Sequence, residues 1–236
     1  MATKNLLIES LLNYNIIANK DEFKKQIVDI IFTNAWSKIS TNNAKFIQVS
    51  KEIVELEHEA FLNLKNLRAV ILYDNIKYIP NSCFKCCKAL KYIVLPFSIN
   101  VIKEYAFSGC ESLKNIYLPD NLSEIRLLAF NNCYSLTSII LPNNLKLIGF
   151  YAFQYCKNLK YIYFPPSINL INYYAFRNCC SLKKVIIPNE IRYIEYYAFQ
   201  NCTGLETIII SKLFLRKQLG LIFDNVAISK INVLFT

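Results

Sequence analysis

Cys87, Cys110, Cys133, Cys156, Cys179 and Cys202 each stand 23 residues from the next. A fixed period of this length constrains the fold more than any composition does. Every segment must adopt one local structure and stack on copies of itself. Six copies run without insertion from Ile76, Ile99, Leu122, Leu145, Ile168 and Ile191, and a looser copy precedes them at Ile53. Aligned, the unit reads I-x-x-I-x-x-x-A-F-x-x-C-x-x-L-x-x-I-x-L-P-x-[NS], most cleanly over Ile99–Asn121. One slot holds Phe61, Phe84, Phe107, Phe130, Phe153, Phe176 and Phe199, and another holds Leu67, Leu90, Leu113, Leu136, Leu159, Leu182 and Leu205.

The two halves of the unit carry different periodicities. In Leu113-x-x-Ile116-x-Leu118, the aliphatic residues alternate with Asn115 and Tyr117, which predicts a strand with Ile116 and Leu118 facing inward. The first half places apolar residues at unit positions 1, 4, 8, 9 and 12, the spacing of a short helix or helical turn. A segment of this length cannot bury its own apolar side. Stacked copies can, with the strands forming a parallel sheet along one face. Each inward side chain then contributes roughly 1.5–3 kcal/mol.

This unit resembles the leucine-rich repeat in its BspA-like subtype, over about residues 44 to 236. The resemblance implies an α/β solenoid, with a parallel β-sheet on the concave face and short helices or turns on the convex face. It also implies a macromolecule-binding protein and carries over no catalytic residue. Family members are known as bacterial surface antigens and adhesins, so the resemblance admits a surface location.

Exposed apolar ends aggregate, so the array needs caps. Residues 1–43 are expected to form a helical N-terminal cap. Asn19-x-x-Glu22 reads as a capping box, Phe23, Ile27, Ile30 and Ile31 as a helical stripe, and Leu7, Leu11 and Leu12 as a shorter helix before it. A half-unit strand near 44–50 joins this cap to the repeats, which extend to residue 213. Residues 214–236 read as a degenerate closing repeat, in which Phe223 keeps the Phe slot and Ile228-x-x-Ile231-x-Val233 keeps a shortened strand motif.

Composition narrows the function. The chain has 236 residues, 54% of them hydrophobic, with a formal net charge of +10, four Gly and one His. That excludes disorder, leaves too few glycines for a phosphate-cradling loop, and removes most acid–base and zinc chemistry. No enzyme activity, cofactor or metal is expected. Leu6-Leu7-Ile8 is stopped at once by Glu9, and no apolar run reaches the roughly 18 residues of a membrane span, so an intracellular location is expected. The repeated cysteines read as buried free thiols, because Cys behaves as a small hydrophobe. Cys83-x-x-Cys86 imitates half a zinc site, yet Cys83 stands in the Ala slot and should face the core. Cys86 and Cys180 take outward slots, and His58, between Glu57 and Glu59, reads as a solvated turn residue.

The candidate site lies on the outward strand face. The position after the conserved Leu holds Lys45, Arg68, Lys91, Lys114, Thr137, Lys160, Lys183 and Glu206. The position between the two inward aliphatics holds Gln48, Ile71, Val94, Tyr117, Ile140, Tyr163, Ile186 and Ile209, with Phe46, Tyr92 and Tyr161 between the columns. A basic column beside exposed Ile and Tyr reads as a binding surface. The same residues equally suit strands, with lysines keeping the face soluble. The partner-binding set is therefore Arg68, Lys91, Tyr92, Val94, Lys114, Tyr117, Ile140, Lys160, Tyr161, Tyr163, Lys183 and Ile186, for a protein with an acidic surface. Two alternatives are a surface adhesin and a nucleic-acid binder using the basic column. A separate column, Tyr105, Tyr151, Tyr174 and Tyr197, is expected to pack between turns on the opposite side.

Overall fold

The computed structural model describes residues 30–31, 44–211, 216–227 and 232–235. Most units contribute two short strands, and all strand pairs are parallel. The first ladder comes from the L-x-x-I-x-L half of the unit. It contains β1 (Ile30–Ile31), β2 (Phe46–Gln48), β3 (Ala69–Ile71), β5 (Tyr92–Val94), β9 (Tyr161–Tyr163), β11 (Lys184–Ile186), β13 (Thr207–Ile210) and β14 (Asn232–Phe235). The second ladder comes from the I-x-x-I half, as β4 (Tyr78–Ile79), β6 (Val101–Ile102), β7 (Glu124–Ile125), β8 (Leu147–Ile148), β10 (Leu170–Ile171) and β12 (Tyr193–Ile194).

The second ladder is one continuous six-stranded sheet, whereas the first is split into two four-stranded sheets, β1-β2-β3-β5 and β9-β11-β13-β14. Between them, the units at 115–118 and 138–141 form no regular strand and are joined by the isolated bridges Tyr117↔Ile140 and Ser138↔Tyr161 and by single backbone bonds such as Thr137 N–H to Lys114 O. The single parallel sheet expected on this face is thus interrupted.

The helical spacing of the first half misleads. Its I-x-x-I segment is a two-residue strand, and the A-F-x-x-C segment that follows is a chain of turns. Two residues in each turn have left-handed φ: Tyr105 (58°) and Gly109 (76°) in one unit, Leu128 (55°) and Asn132 (59°) in the next. A left-handed residue stops a right-handed helix from propagating. Backbone N–H groups then alternate their partners. Ala106, Ser108 and Cys110 donate three residues back, to Lys103, Tyr105 and Phe107. Tyr105, Phe107 and Gly109 donate to Leu127, Ala129 and Asn131 of the following unit, at 2.8–2.9 Å. Every turn is therefore stitched to its neighbour. The second left-handed slot holds Asn63, Cys86, Gly109, Asn132, Tyr155, Asn178, Asn201 and Asn225, and Asn tolerates that region better than most side chains do. Among the described residues the helix is α1 (Arg216–Ile222), which lies beyond the last full unit.

The core is a set of columns. Phe61, Phe84, Phe107, Phe130, Phe153, Phe176, Phe199 and Phe223 form one stack, with neighbouring centroids 4.9–5.3 Å apart and ring planes within 13°. Aromatic pairs at such separations contribute about 0.5–1.5 kcal/mol beyond their burial. The Cys column fills the adjacent space and also bonds, since each thiol donates to the carbonyl of a Phe in the preceding unit. Cys110 Sγ–H reaches Phe84 O at 3.2 Å and Cys133 reaches Phe107 O at 3.3 Å, with the same pattern at Cys87, Cys156, Cys179 and Cys202. Burial pushes the Cys87 thiol up to about 12 and raises Cys83, Cys110, Cys133, Cys156 and Cys179 as well. All nine cysteines are free, with Cys83 buried, Cys86 half-buried and Cys180 exposed.

At the N-terminal end, Ile30 and Ile31 belong to the expected helical stripe but are a strand paired with Phe46 and Ile47. The rest of the expected helical cap, with its capping box and shorter helix, lies outside the described residues. At the other end Phe223 continues the stack at 4.9 Å from Phe199, and β14 pairs with β13.

Candidate functional site: the outer face of the first ladder

The unit places its outward residues in register, so each candidate column is a row of side chains one strand apart. Lys184, Val185 and Ile186 align with Tyr161, Ile162 and Tyr163 on one side and with Thr207, Ile208 and Ile209 on the other. The inward members Ile162, Val185 and Ile208 are buried, which turns their neighbours toward solvent.

Exposure along the outward column is uneven. Tyr117, Ile140 and Tyr163 are 49%, 78% and 58% exposed, with Tyr161 beside them at 48%. Val94, Tyr92 and Ile186 are half-buried. Toward the N-terminal end, Gln48 and Ile71 are buried, and Phe46 and Ala69 with them, so β2 and β3 are covered on both faces. Tyr73 supplies part of that cover, since its hydroxyl accepts a hydrogen bond from the Gln48 amide. The exposed apolar column is therefore covered at its N-terminal end, stands out in the middle of the array, and is exposed again at Leu234, the partner of Ile209 in β14.

The basic column divides as well. Lys183 is ion-paired with Glu206 at 2.6 Å, so the charge at that end is matched within the chain. Arg68, Lys91, Lys114 and Lys160 are exposed and have no acidic partner among the described residues. On the second ladder Arg126 contacts Glu124 at 2.9 Å and Glu104 at 3.7 Å, and Lys103 sits 3.7 Å above the Tyr78 ring.

The interruption of the first ladder has a local cause. Backbone N–H groups of this column donate one unit back from Arg68 to Lys45, Lys91 to Arg68, Thr137 to Lys114, Lys160 to Thr137, and Lys183 to Lys160. The series skips the step from Lys114 to Lys91. Asn115 and Ser138 stand here at the outward slot that Tyr161 and Thr207 fill in the paired strands. Asn is disfavoured in strands, and its side chain competes for hydrogen bonds. Thr137 Oγ1–H and Ser138 Oγ–H both donate to Asn115 Oδ1, at 3.3 Å each. Where the ladder parts, a depression of about 450 Å³ opens, lined by Lys91, Tyr92, Ile93, Ser112, Lys114, Asn115, Tyr117 and Ser135. Four candidate residues, Lys91, Tyr92, Lys114 and Tyr117, thus meet in one concavity. Ile140, Lys160, Tyr161 and Tyr163 continue the face beyond it.

The chain matches the family described as BspA type leucine rich repeat region, over residues 29–140 and 124–235, in six copies. It belongs to the BspA-type leucine-rich repeat family. Among solved structures it is similar to the T. pallidum leucine rich repeat protein, with 26% identity and a TM-score of 0.61 over 75% of this chain and 82% of that one. It is also similar to a leucine-rich repeat protein from Bacteroides ovatus, with 26% identity and a TM-score of 0.52 over 80% of this chain. The chain spans about half of the B. ovatus protein, 51% of its length. No curated protein matches it.

Within this BspA-type array, sequence reasoning missed Ser112, Asn115 and Ser135. The signal was present in Asn115 and Ser138, which interrupt the row of strand-forming residues in two consecutive units. The tyrosines of the turns behave differently, since Tyr151, Tyr174 and Tyr197 stack at 5.0 and 5.4 Å and are half-buried between turns. Among the described residues no helix is long and apolar enough to cross a membrane, and no three His, Cys, Asp or Glu side chains are grouped to hold a metal.

Proposed function

We propose that this BspA-type repeat is a non-catalytic binding module that takes an acidic protein surface on the outer face of the first ladder. The observation that carries the reading is the pairing of unmatched cations with exposed apolar side chains. Arg68, Lys91, Lys114 and Lys160 have no acidic partner among the described residues, and Tyr117, Ile140, Tyr161 and Tyr163 stand exposed beside them. Unmatched like charges at strand spacing repel, and an acidic ligand relieves that repulsion. The tyrosines supply desolvated anchors, which charge alone does not. Val94 and Ile186, half-buried, flank the contact, and Lys183 contributes through its pair with Glu206.

The test uses the purified chain as bait in an extract of its native cells, followed by affinity measurement with the captured protein. Tyr163→Ala should weaken that complex by about 2 kcal/mol, the level of an interface hot spot. Charge reversal at Lys160 should mainly slow association and flatten its salt dependence. Binding that responds only to Tyr151 or Tyr174 on the convex side overturns the reading. A captured nucleic acid with a steep salt dependence assigns the face to a different class of partner.

A further inference from the structure

The depression at the parted ladder has a chemistry more specific than a basic face. Its volume of about 450 Å³ falls within the range of small-ligand sites. Apart from Ile93, every side chain that lines it carries a donor: the ammonium groups of Lys91 and Lys114, the hydroxyls of Ser112, Ser135, Tyr92 and Tyr117, and the amide of Asn115. Asn115 Oδ1 is already engaged by Thr137 and Ser138, so its NH2 is the part of that amide with donors to offer. No carboxylate is among the lining residues. Glu111, next to Ser112 in the chain, is held by Lys88 at 2.8 Å and so does not neutralise Lys91 or Lys114.

The parted backbone adds a second kind of partner. Among the described residues the Lys114 N–H and the Lys91 carbonyl, which would bond in a continued ladder, are not bonded to each other. One spare donor and one spare acceptor at a strand edge are what an extended peptide pairs with. Tyr92 and Tyr117 flank these groups with aromatic surface.

We infer that this depression receives an extended peptide through one oxyanion side chain, a carboxylate or a phosphate, held between Lys91 and Lys114. The inference rests on the binding-module reading above and names the group the site would select. Two lysines with hydroxyl and amide donors suit either oxyanion, since charge-assisted hydrogen bonds are the strong ones.

The experiment uses the full chain and three fluorescent, N-acetylated and C-amidated peptides of sequence Ala-Val-Tyr-X-Tyr-Val-Ala, with X as Glu, phosphoserine or Gln. Affinity is read by anisotropy. At least one anionic peptide should bind about tenfold or more tightly than the Gln peptide. A phosphoserine preference assigns phosphate, and an equal or better Glu peptide assigns carboxylate. The double variant Lys91→Gln/Lys114→Gln should lose the preference while keeping its thermal midpoint. Lys77→Gln/Lys146→Gln, the same change of charge at exposed positions outside the depression and the binding face, should retain it. Equal binding of all three peptides, no binding at about 1 mM, or a preference that survives the double variant overturns the inference. So does a preference lost equally in Lys77→Gln/Lys146→Gln, because that is charge without a pocket. If the natural partner still depends on Tyr163 while the peptides show no preference, the oxyanion pocket falls and the binding face stands.

Discussion

The two ladders are built from one 23-residue unit, yet the second runs unbroken through six strands while the first has no regular strand in two units and skips the backbone bond from Lys114 to Lys91. In the second ladder the inward residue is Ile in all six strands, from Ile79 to Ile194, and each is buried. In the first ladder the inward residues are equally regular through the gap, since Ile116 and Ile139 are buried. What differs is outside. Asn115 and Ser138 turn their side chains to one another and to Thr137, at a slot that holds Phe46, Ala69, Tyr92, Tyr161, Lys184, Thr207 and Asn232 in the paired strands. Inward residues hold the framework, and outward residues decide how far a ladder closes. A ladder that fails to close leaves both the depression and, among the described residues, the most exposed large apolar side chain, Ile140.

If the Phe stack is the framework, breaking it should dwarf any change on the open face. Phe130→Ala should cost about 3–5 kcal/mol in urea unfolding, while Ile140→Ala should stay within about 0.5 kcal/mol. Similar losses for the two would erase the distinction between framework and face.

Alkaline pH separates the regions next. The buried thiols hold their protons more tightly in the folded chain, up to about 12 at Cys87 against an ordinary value near 9. Their stabilising contribution is complete below pH 9. It is lost as the pH rises from about 9 toward 12, at about 1.4 kcal/mol per pH unit for each such thiol. Denaturation midpoints measured from pH 7 to 11 should fall in that window, and Cys133→Ala should flatten the fall. A midpoint independent of pH across the window contradicts thiol burial in the framework.

A smaller and more pointed change is to close the gap. Asn115→Val with Ser138→Val replaces hydrogen-bonding side chains by strand formers and should gain up to about 1 kcal/mol. The same double variant should weaken ligands of the depression, so stability and affinity move in opposite directions. Gain in both would detach the depression from binding. Smallest of all, Lys183→Gln should lose only about 0.2–1 kcal/mol, because its pair with Glu206 is exposed to solvent.

The framework was legible because its residues recur. Phe, Cys, Leu and Ile at fixed slots specify the stack and the parallel register without reference to any partner. The turns were not legible from apolar spacing, since positions 1, 4, 8, 9 and 12 fit a helix as well as a strand followed by turns. The discriminating residues were the polar ones, Asn63, Asn132, Asn178 and Asn201, recurring at the period and marking a left-handed position that no helix interior permits. The outward columns were legible as rows, but their exposure was not. Ile71 and Ile140 occupy the same slot, yet one is buried and the other is the most exposed large apolar residue described. That depends on what lies across the face and on whether neighbouring strands pair, neither of which a column of residue types contains. Lys183 looked equivalent to Lys91 until Glu206 was placed beside it.

Amide hydrogen exchange tests the difference between the ladders most directly. The N–H groups of Arg126, Gly149 and Asn172 donate across the second ladder to Ile102, Ile125 and Ile148, at 2.8–3.0 Å. They should exchange only with cooperative unfolding of the array. The Lys114 N–H, at the parted step of the first ladder, should exchange about a hundredfold faster or more, through local opening alone, and slow when a ligand occupies the depression. Equal protection at Lys114 and at these three amides, in the chain without ligand, would mean that the first ladder is closed and that no site opens there.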